Sequence, residues 1–402
     1  MKYLSDTKVN TGRQLEIDLL KALCIIGMIF NHTYEDLGYY NSGPIEVLNE
    51  YLVVVVGASG FMVSMGISMH YSRNQSAGAY AMRGLTILTA GQLLNLFRNV
   101  LLNMIFYLVT GEQWFIAQTF LVLQADILSF AGLSFLLIAL FRRLKVPAFA
   151  VFLAGLGINM SAWALYEAVP AGLGYFQQQM LGYLVITDAE SFFPLTSYFV
   201  LVAFGYWMGE LYPRIRDKDG LAKRLLLILV PVTGLFLWFR SSVNVPFLPE
   251  FQSDLQYSLL FGPDALSGCA VSLILLAAFH LLIKAAGGRL HPIFRHLSGN
   301  INQYYCISYV FILWAQTLLM AWKGSLWEGP LLPTVFGLAV IVLCSRIIRW
   351  KDNAALMKQK KPQTKQLMII AILAWGLTVI TALYSYPRIE VFANLWNGYL
   401  IP

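Results

Sequence analysis

Eleven apolar segments, each long enough to cross a lipid bilayer as a helix, follow one another along this 402-residue chain. A spanning helix needs about 20 mainly apolar residues, because it rises about 1.5 Å per residue across a hydrocarbon core about 30 Å thick. The segments are predicted at residues 17–34, 51–70, 85–109, 120–140, 146–169, 192–211, 221–239, 265–283, 301–322, 331–348 and 367–385. With 58% hydrophobic and 12% charged residues, the composition is not that of a soluble domain. The predicted fold class is all-α: a polytopic integral membrane protein with about eleven transmembrane helices, forming one domain over residues 1–402.

Lysine and arginine are confined to alternate connections between these segments, and the other connections are acidic or nearly neutral. This is the positive-inside pattern, which predicts a cytoplasmic N-terminus and an extracytoplasmic C-terminus. The basic connections include Arg73, Arg83, Arg142 and Arg143, and the acidic ones include Glu35, Asp36 and Glu112. Membrane topology therefore explains the net charge of +7, so the predicted partner is the lipid bilayer and not a nucleic acid.

The first segment carries polar groups at both ends. Arg13 and Asp18 precede its apolar core, and Asn31, His32 and Asp36 follow it. His32 comes fourteen residues after Asp18, which places it about 21 Å further along a helix. Charged groups in or beside lipid are costly and need a partner or a role. Either these residues are interfacial anchors with a capping histidine, or the helix carries chemistry at both ends.

The third segment carries a polar stripe on one helical face, because Gln92, Asn95, Arg98 or Asn99, and Asn103 recur at spacings of three or four. Such a stripe faces protein or water and not lipid. Arg98 is predicted about 20 Å from the cytoplasmic end, and Asp126 on the antiparallel fourth segment about 21 Å from it.

His32, Arg98 and Asp126 are therefore predicted at one depth. Three helices that place an imidazole, a guanidinium and a carboxylate in one layer indicate a shared internal site. The alternative is an Arg98–Asp126 ion pair that joins two helices without His32.

Two stretches resemble the transmembrane acyltransferase superfamily, which includes the acyltransferase-3 proteins and the heparan-α-glucosaminide N-acetyltransferase-like proteins. Arg13, the run IDLLK at residues 17–21 and the pair Asn31–His32 resemble the family's first helix, and the continuation to Glu35 and Asp36 is most similar to bacterial members of the second group. The run LSGNINQYY at 297–305 resembles the late motif LGxNSxxIY. It departs from that motif at Ile301, where serine is usual, and Ser308 stands where histidine is common.

The resemblance implies transfer of an acetyl or other acyl group from cytoplasmic acyl-CoA to a hydroxyl or amine of an extracytoplasmic glycan or glycoconjugate, in a bacterial cytoplasmic membrane. In that reaction His32 acts as general base or transient acyl acceptor, and Asp36 or Glu35 orients it. Asn31 or Arg98 stabilises the oxyanion. The residues predicted to bind substrate are Arg13, Asp18, Arg73, Arg83, Asn95, Asp126, Arg142 and Arg143.

Several interpretations stay open at the level of sequence. A transporter or flippase could use the same three residues as a substrate or proton path. Two longer outer connections, 170–191 and 240–264, carry amide and aromatic residues that suit carbohydrate, but their composition is more typical of ordinary polar loops. No metal site is predicted, the four cysteines are expected to be small buried residues, and a homodimer is possible.

Overall fold

The computed structural model describes residues 3–38, 57–170, 172–187, 192–242, 260–286, 291–353 and 364–393, and every regular element in these ranges is a helix. The predicted all-α class is confirmed for this part of the chain. The α-helices are α1 (Leu15–Leu37), α2 (Ser59–Met69), α3 (Ala77–Asn95), α4 (Leu102–Thr110), α5 (Gln113–Thr119), α6 (Ile127–Arg143), α7 (Ala148–Met160), α8 (Ala162–Glu167), α9 (Tyr175–Leu181), α10 (Leu195–Leu211), α11 (Lys218–Ser242), α12 (Gly262–Ala286), α13 (His291–Gly299), α14 (Ile301–Lys323), α15 (Leu331–Asn353) and α16 (Thr364–Ala393). A π-helical stretch, Leu96–Leu101, joins α3 to α4, and 3-10 turns follow α5 at Phe120–Leu123 and α10 at Tyr212–Arg214.

Each of the eleven predicted segments overlaps at least one helix of the described residues, although positions 51–56 of the second segment lie outside them. Fewer helices have the length and composition of a membrane span. Among the described residues seven stretches qualify: Ala77–Thr110, Gln113–Arg143, Lys218–Arg240, Gly262–Ala286, Ile301–Lys323, Leu331–Asn353 and Lys365–Arg388. The other four predicted segments correspond to α1, whose ends are polar, to α2 and α7, which have 11 and 13 residues, and to α10 with 17. Eleven spans therefore remain a prediction.

Three predicted boundaries differ from the structure for local reasons. The third segment begins at Ala77 and not at 85, because the Ser76 hydroxyl caps that helix by accepting a hydrogen bond from the Ala79 amide. The fourth segment is broken near Asp126, as described below. The fifth segment is divided at Ser161 into α7 and α8.

The connections that carry the basic residues meet at one end of the bundle, here called the basic end. The Asn10 amide donates to the Pro213 carbonyl at 2.9 Å, and the Arg13 guanidinium donates to the Arg295 carbonyl at 3.3 Å. At the opposite end, the Trp327 amide donates to the Leu37 carbonyl at 2.9 Å. These contacts place the connections around Asn10, Pro213 and Arg295 at one end of the bundle and those around Leu37 and Trp327 at the other. Which end faces the cytoplasm remains a prediction.

Helix α1 lies at the centre of the bundle, where it packs against α2, α12, α13, α14 and α15. Its neighbour α2 crosses α10 with the two backbones in direct contact. A Cβ atom added at Gly66 would collide with the Val202 carbonyl oxygen, and one added at Gly205 would collide with the Val63 carbonyl oxygen. Glycine at both positions therefore allows an approach that no other residue would permit.

The small residues at the start of α2 take part in helix packing. A Cβ at Gly60 would lie 3.0 Å from the Leu20 side chain of α1, and a Cβ at Gly268 of α12 would lie 2.5 Å from the Ser59 hydroxyl. These residues bring α2 close to two neighbouring helices.

Candidate active site

The fourth predicted segment is two helices separated by a break inside the bundle. Helix α5 and its 3-10 turn end at Leu123, the backbone at Gln124 is extended, and α6 starts after Asp126. The Asp126 Oδ1 atom caps α6 by accepting hydrogen bonds from the amides of Leu128 at 3.0 Å and Ser129 at 3.1 Å. A carboxylate at a helix N-terminus is favoured by the helix dipole, so the break gives Asp126 a fixed position.

The amides of the polar stripe bind the carbonyl groups that the break leaves without helical partners. Asn95 Nδ2 donates to the carbonyls of Val122 at 3.2 Å and Gln124 at 3.0 Å, and Asn99 Nδ2 donates to that of Leu121 at 3.0 Å. Buried carbonyl groups need such partners. Asn95 was predicted to bind substrate, but its amide nitrogen binds the backbone. Its Oδ1 atom is buried and has no hydrogen-bond partner among the described residues.

Arg98 lies in the π-helical stretch with its side chain 0% exposed. Its Nη2 atom is 3.3 Å from Asp126 Oδ2 and 3.3 Å from Gln124 Oε1. The predicted Arg98–Asp126 ion pair is therefore present. Its Nε and Nη1 atoms are also buried, and they have no hydrogen-bond partner in the described part of the chain. The N–H groups of these two nitrogen atoms can bind an oxygen atom of a ligand.

Two tyrosines of α14 complete this cluster, and sequence reasoning assigned neither of them a role. The Tyr305 hydroxyl donates to Asp126 Oδ2 at 3.3 Å. The Tyr309 ring centre lies 4.2 Å from the Arg98 Cζ atom and 4.2 Å from the His32 ring centre, with 23° between the His32 and Tyr309 rings. His32 and Arg98 are thus no more than about 8 Å apart. The structure brings His32, Arg98 and Asp126 into one continuous set of contacts.

His32 also lies beside two carboxylates of its own helix. Its Nδ1 atom is 3.4 Å from Glu35 Oε2 and 3.7 Å from Asp36 Oδ2. These distances exceed those of a normal hydrogen bond and suit electrostatic orientation of the ring. The three side chains are between 21% and 27% exposed, whereas Asn31 beside them is buried. The site is closed around Arg98 and partly open at His32.

Arg13 and Asp18, predicted to bind substrate at the other end of α1, bind each other. The Arg13 Nε and Nη2 atoms both donate to the Asp18 carboxylate, and the Ser298 hydroxyl of α13 donates to Asp18 Oδ1. The two stretches that carry the family resemblance therefore contact each other through Asp18 and Ser298. By helical rise this cluster lies about 21 Å from His32 and is separate from the site.

The four arginines predicted to bind a donor substrate lie at the basic end, away from His32. Arg83 donates to the Ser72 hydroxyl at 3.2 Å, and Arg142 donates to the Tyr206 hydroxyl at 2.9 Å. Arg73 and Arg143 are exposed. These cations form a positively charged surface there.

Sequence reasoning missed Tyr309 and the hydrogen bond of Tyr305. Tyr305 stands at the tyrosine position of the late motif, and Tyr309 follows one turn later on the same face of α14. The four-residue spacing of these two tyrosines, next to the late motif, was the feature of the sequence that could have indicated their shared role. Among the described residues, no group of histidine, cysteine, aspartate and glutamate is arranged to hold a metal ion.

A helical membrane bundle that buries an ion pair and two tyrosines beside a partly exposed histidine belongs to the class of polytopic membrane proteins with an internal polar site. A family model described as an acyltransferase domain, that of the acyltransferase-3 family, matches residues 14–350. The chain belongs to this family and is a membrane acyltransferase by that membership. Of the two groups that the first helix resembles, acyltransferase-3 is the one whose model matches. Searches of curated proteins and of solved structures each found no significant match.

Proposed function

We propose that the protein transfers an acetyl or other acyl group from acyl-CoA at the basic end of the bundle to a hydroxyl or amine of a glycan or glycoconjugate at the opposite end. The observation that carries this proposal is the contact of His32 and Arg98 with one ring, that of Tyr309, at 4.2 Å each, in a chain of the acyltransferase-3 family. A base and an oxyanion-binding cation are the two groups that acyl transfer needs side by side.

His32 is the proposed base. Glu35 and Asp36 lie on the Nδ1 side of its ring, which favours the tautomer with the proton on Nδ1 and leaves Nε2 basic. Nε2 takes the proton of the acceptor hydroxyl or amine as that group attacks the thioester carbonyl. The tetrahedral intermediate then expels the CoA thiolate, which takes up the proton. In a second route, Nε2 itself attacks the thioester carbonyl and the CoA thiolate leaves. The acceptor hydroxyl or amine then attacks the acyl group on Nε2, which frees the imidazole, and the proton of the acceptor passes to the thiolate.

Arg98 is the proposed oxyanion group. Its Nε and Nη1 atoms are buried donors without a partner among the described residues, so they can bind the carbonyl oxygen as negative charge develops on it. Its ion pair with Asp126 holds the guanidinium in place before substrate arrives. A donor fixed in advance stabilises a transition state at no reorganisation cost.

The proposed topology follows the charge pattern of the connections. Eleven spans would place the N-terminus and the basic end in the cytoplasm and the C-terminus outside, in a bacterial cytoplasmic membrane. Arg83 and Arg142, with the exposed Arg73 and Arg143, would then meet the phosphates of cytoplasmic CoA. The acceptor would reach His32 from its partly open side. Of the two outer connections with amide and aromatic residues, positions 188–191 and 243–259 lie outside the described residues.

One observation favours a second function, that of a transporter or flippase. Transporters commonly hold substrate at helices broken within the membrane, and the break between α5 and α6 has this form. The buried Arg98–Asp126 pair would then serve as a substrate or proton path. Family membership favours the acyltransferase.

The test is incorporation of label from [14C]acetyl-CoA into the envelope glycans of membrane vesicles. We expect the wild type to incorporate label and His32→Ala to lose incorporation while its amount in the membrane is unchanged. His280→Ala is the matched control, because His280 pairs with Asp219 far along the chain from the site and should leave incorporation intact. Incorporation by His32→Ala at the wild-type rate would contradict the proposal.

Calorimetry of the purified protein with acetyl-CoA tests the donor separately. We expect Arg142→Ala/Arg143→Ala to weaken binding and His32→Ala to preserve it. If the wild type binds neither acetyl-CoA nor longer acyl-CoAs and incorporates no label, the donor is wrong. Proton-coupled uptake in that case would support the transporter.

A further inference from the structure

We infer that Tyr309 is a positioning residue, which sets the plane of the His32 imidazole and holds the Arg98 guanidinium against the same ring. This inference rests on the proposed acyl transfer and adds a requirement to it. Tyr309 need not touch the reacting atoms. It acts through the two residues that do.

Tyr309 is itself held rigidly. Tyr305 lies one turn before it on the same face of α14, and the two rings meet edge to face with their centres 5.6 Å apart. The Tyr305 hydroxyl is anchored on Asp126, and both rings are buried in the bundle. A ring can position the side chain stacked on it only when the ring itself does not move. The Tyr309 ring is held in place through Tyr305 and Asp126, which lies at the helix break.

The imidazole of His32 needs such a surface because its own torsion does not fix the ring plane. The outer torsion of histidine joins sp³ and sp² atoms and has broad minima. The Tyr309 face lies 4.2 Å away at 23°, which selects one plane. In that plane Nδ1 lies near Glu35 and Asp36, so Nε2 occupies the other side of the ring. Among the described residues Tyr309 is the one aromatic ring stacked on His32.

The same ring attracts positive charge. The Arg98 Cζ atom lies 4.2 Å from the Tyr309 centre, a distance at which the negative face of the ring binds a guanidinium. When His32 takes up a proton, the resulting imidazolium also lies against this ring. Tyr309 therefore stabilises both cations that the reaction uses, and its benzene ring carries this effect without its hydroxyl.

The experiment compares Tyr309→Phe with Tyr309→Leu. Phenylalanine keeps the ring, and leucine removes it at similar burial. We expect Tyr309→Leu to lower kcat of acetyl transfer by about tenfold to a hundredfold, with KM for acetyl-CoA unchanged. Tyr309→Phe should stay within about threefold of the wild type. Tyr304→Leu is the matched control, because Tyr304 is a buried ring of the same helix that lies against His296 and not His32.

A second readout does not depend on transfer. The rate at which diethylpyrocarbonate modifies His32, followed by peptide mass spectrometry at fixed pH, reports how the imidazole is covered and oriented. We expect Tyr309→Leu to raise this rate several-fold, and Tyr309→Phe and Tyr304→Leu to keep the wild-type rate. Thermal unfolding of each variant in detergent identifies any general loss of structure.

The outcomes separate this inference from the proposed function. Absent transfer by the wild type contradicts the proposed function, while the modification rate still decides whether Tyr309 positions His32. A Tyr309→Leu variant with wild-type kcat or with a wild-type modification rate overturns the inference. So does a Tyr309→Phe variant as defective as Tyr309→Leu, because the hydroxyl and not the ring would then be the active feature.

Discussion

The Tyr305 hydroxyl and the Asp126 carboxylate are joined by a 3.3 Å hydrogen bond, on the same carboxylate oxygen that pairs with Arg98. The other oxygen of Asp126 caps α6. One side chain thus starts a helix, neutralises a buried cation and anchors a tyrosine of the late motif. The break between α5 and α6 makes this possible, because it presents a carboxylate inside the bundle at the end of a helix.

Asp126→Asn should separate these roles. Asparagine caps a helix about as well as aspartate, so α6 should still begin at the same residue. The buried Arg98 would lose its counter-charge, which costs about 3–5 kcal/mol of unfolding free energy. Thermal or denaturant unfolding in detergent measures this loss.

Asp6→Asn, at an exposed position, is the control and should change the unfolding free energy little. The double variant Asp126→Asn/Arg98→Met should recover part of the stability, and a loss equal to the sum of the single variants would contradict the pairing.

Asn159 provides a second test, at the ends of α7, α10 and α12 that lie opposite the basic end. Its buried side chain donates to the carbonyls of Ser197 and Leu260 and accepts from the Gly262 amide at 2.7 Å. Asn159→Ala would leave three backbone groups without these partners, and we expect a loss of about 3 kcal/mol or more in unfolding free energy. The same measurement on the exposed Asn302→Ala should show no loss. Equal stability of the two variants would mean that water replaces the side chain.

Gly205→Ala tests the crossing of α2 and α10. Its Cβ would overlap the backbone of Val63, so the helices must separate, at a cost of about 1–3 kcal/mol. Gly157→Ala on α7 is the matched control, because a Cβ there meets no atom within 4 Å. Since alanine favours a helix over glycine, that variant should be as stable as the wild type or up to about 1 kcal/mol more stable. Unfolding midpoints in detergent measure both changes. A Gly205→Ala variant as stable as the wild type would contradict the close approach of α2 and α10.

His296 on α13 predicts a pH dependence. Burial lowers its pKa, the cation of Arg349 lowers it further, and Asp352 opposes both. A histidine with a lowered pKa binds fewer protons when folded than when unfolded. Its contribution to stability is therefore fully present above the ordinary histidine pKa and is lost as pH falls through it. We expect the unfolding temperature to fall less between pH 7 and pH 5 in His296→Gln than in the wild type.

Asp352→Asn gives the control for this dependence. It removes the charge that favours protonated His296, so it should steepen the loss of stability with falling pH. Identical pH profiles for the wild type and His296→Gln would show that another group sets the dependence.

Sequence reasoning anticipated the membrane helices and the layer that holds His32, Arg98 and Asp126. Hydropathy locates helices because lipid requires long apolar segments, and helical rise converts residue number to depth. The break at Gln124 was not predictable in this way, because the apolar residues continue on both sides of it. Asp126 was therefore placed within a helix, whereas it caps one.

The lateral contacts between helices could not be predicted from the sequence either. Depth does not say which faces of α1, α3 and α14 meet, so the role of Tyr309 between His32 and Arg98 could not be inferred. The amides of Asn95 and Asn99 follow a helical stripe, which predicts burial, but their partners are carbonyls exposed by the break. The roles assigned to His32, Asp36, Asn31 and Arg98 stay predictions.

Helix α16 lies beyond residue 350, where the family match ends, and it covers α3, α5 and the following 3-10 turn. Its Ser385 meets Thr119 at 2.6 Å, and its Thr378 meets Gln92 at 3.3 Å. These partners are translated some 270 to 290 residues apart. During synthesis, Gln92 and Thr119 therefore lack these partners on α16 until some 270 to 290 further residues have been translated. This side of the bundle is therefore closed only after α16 has been made.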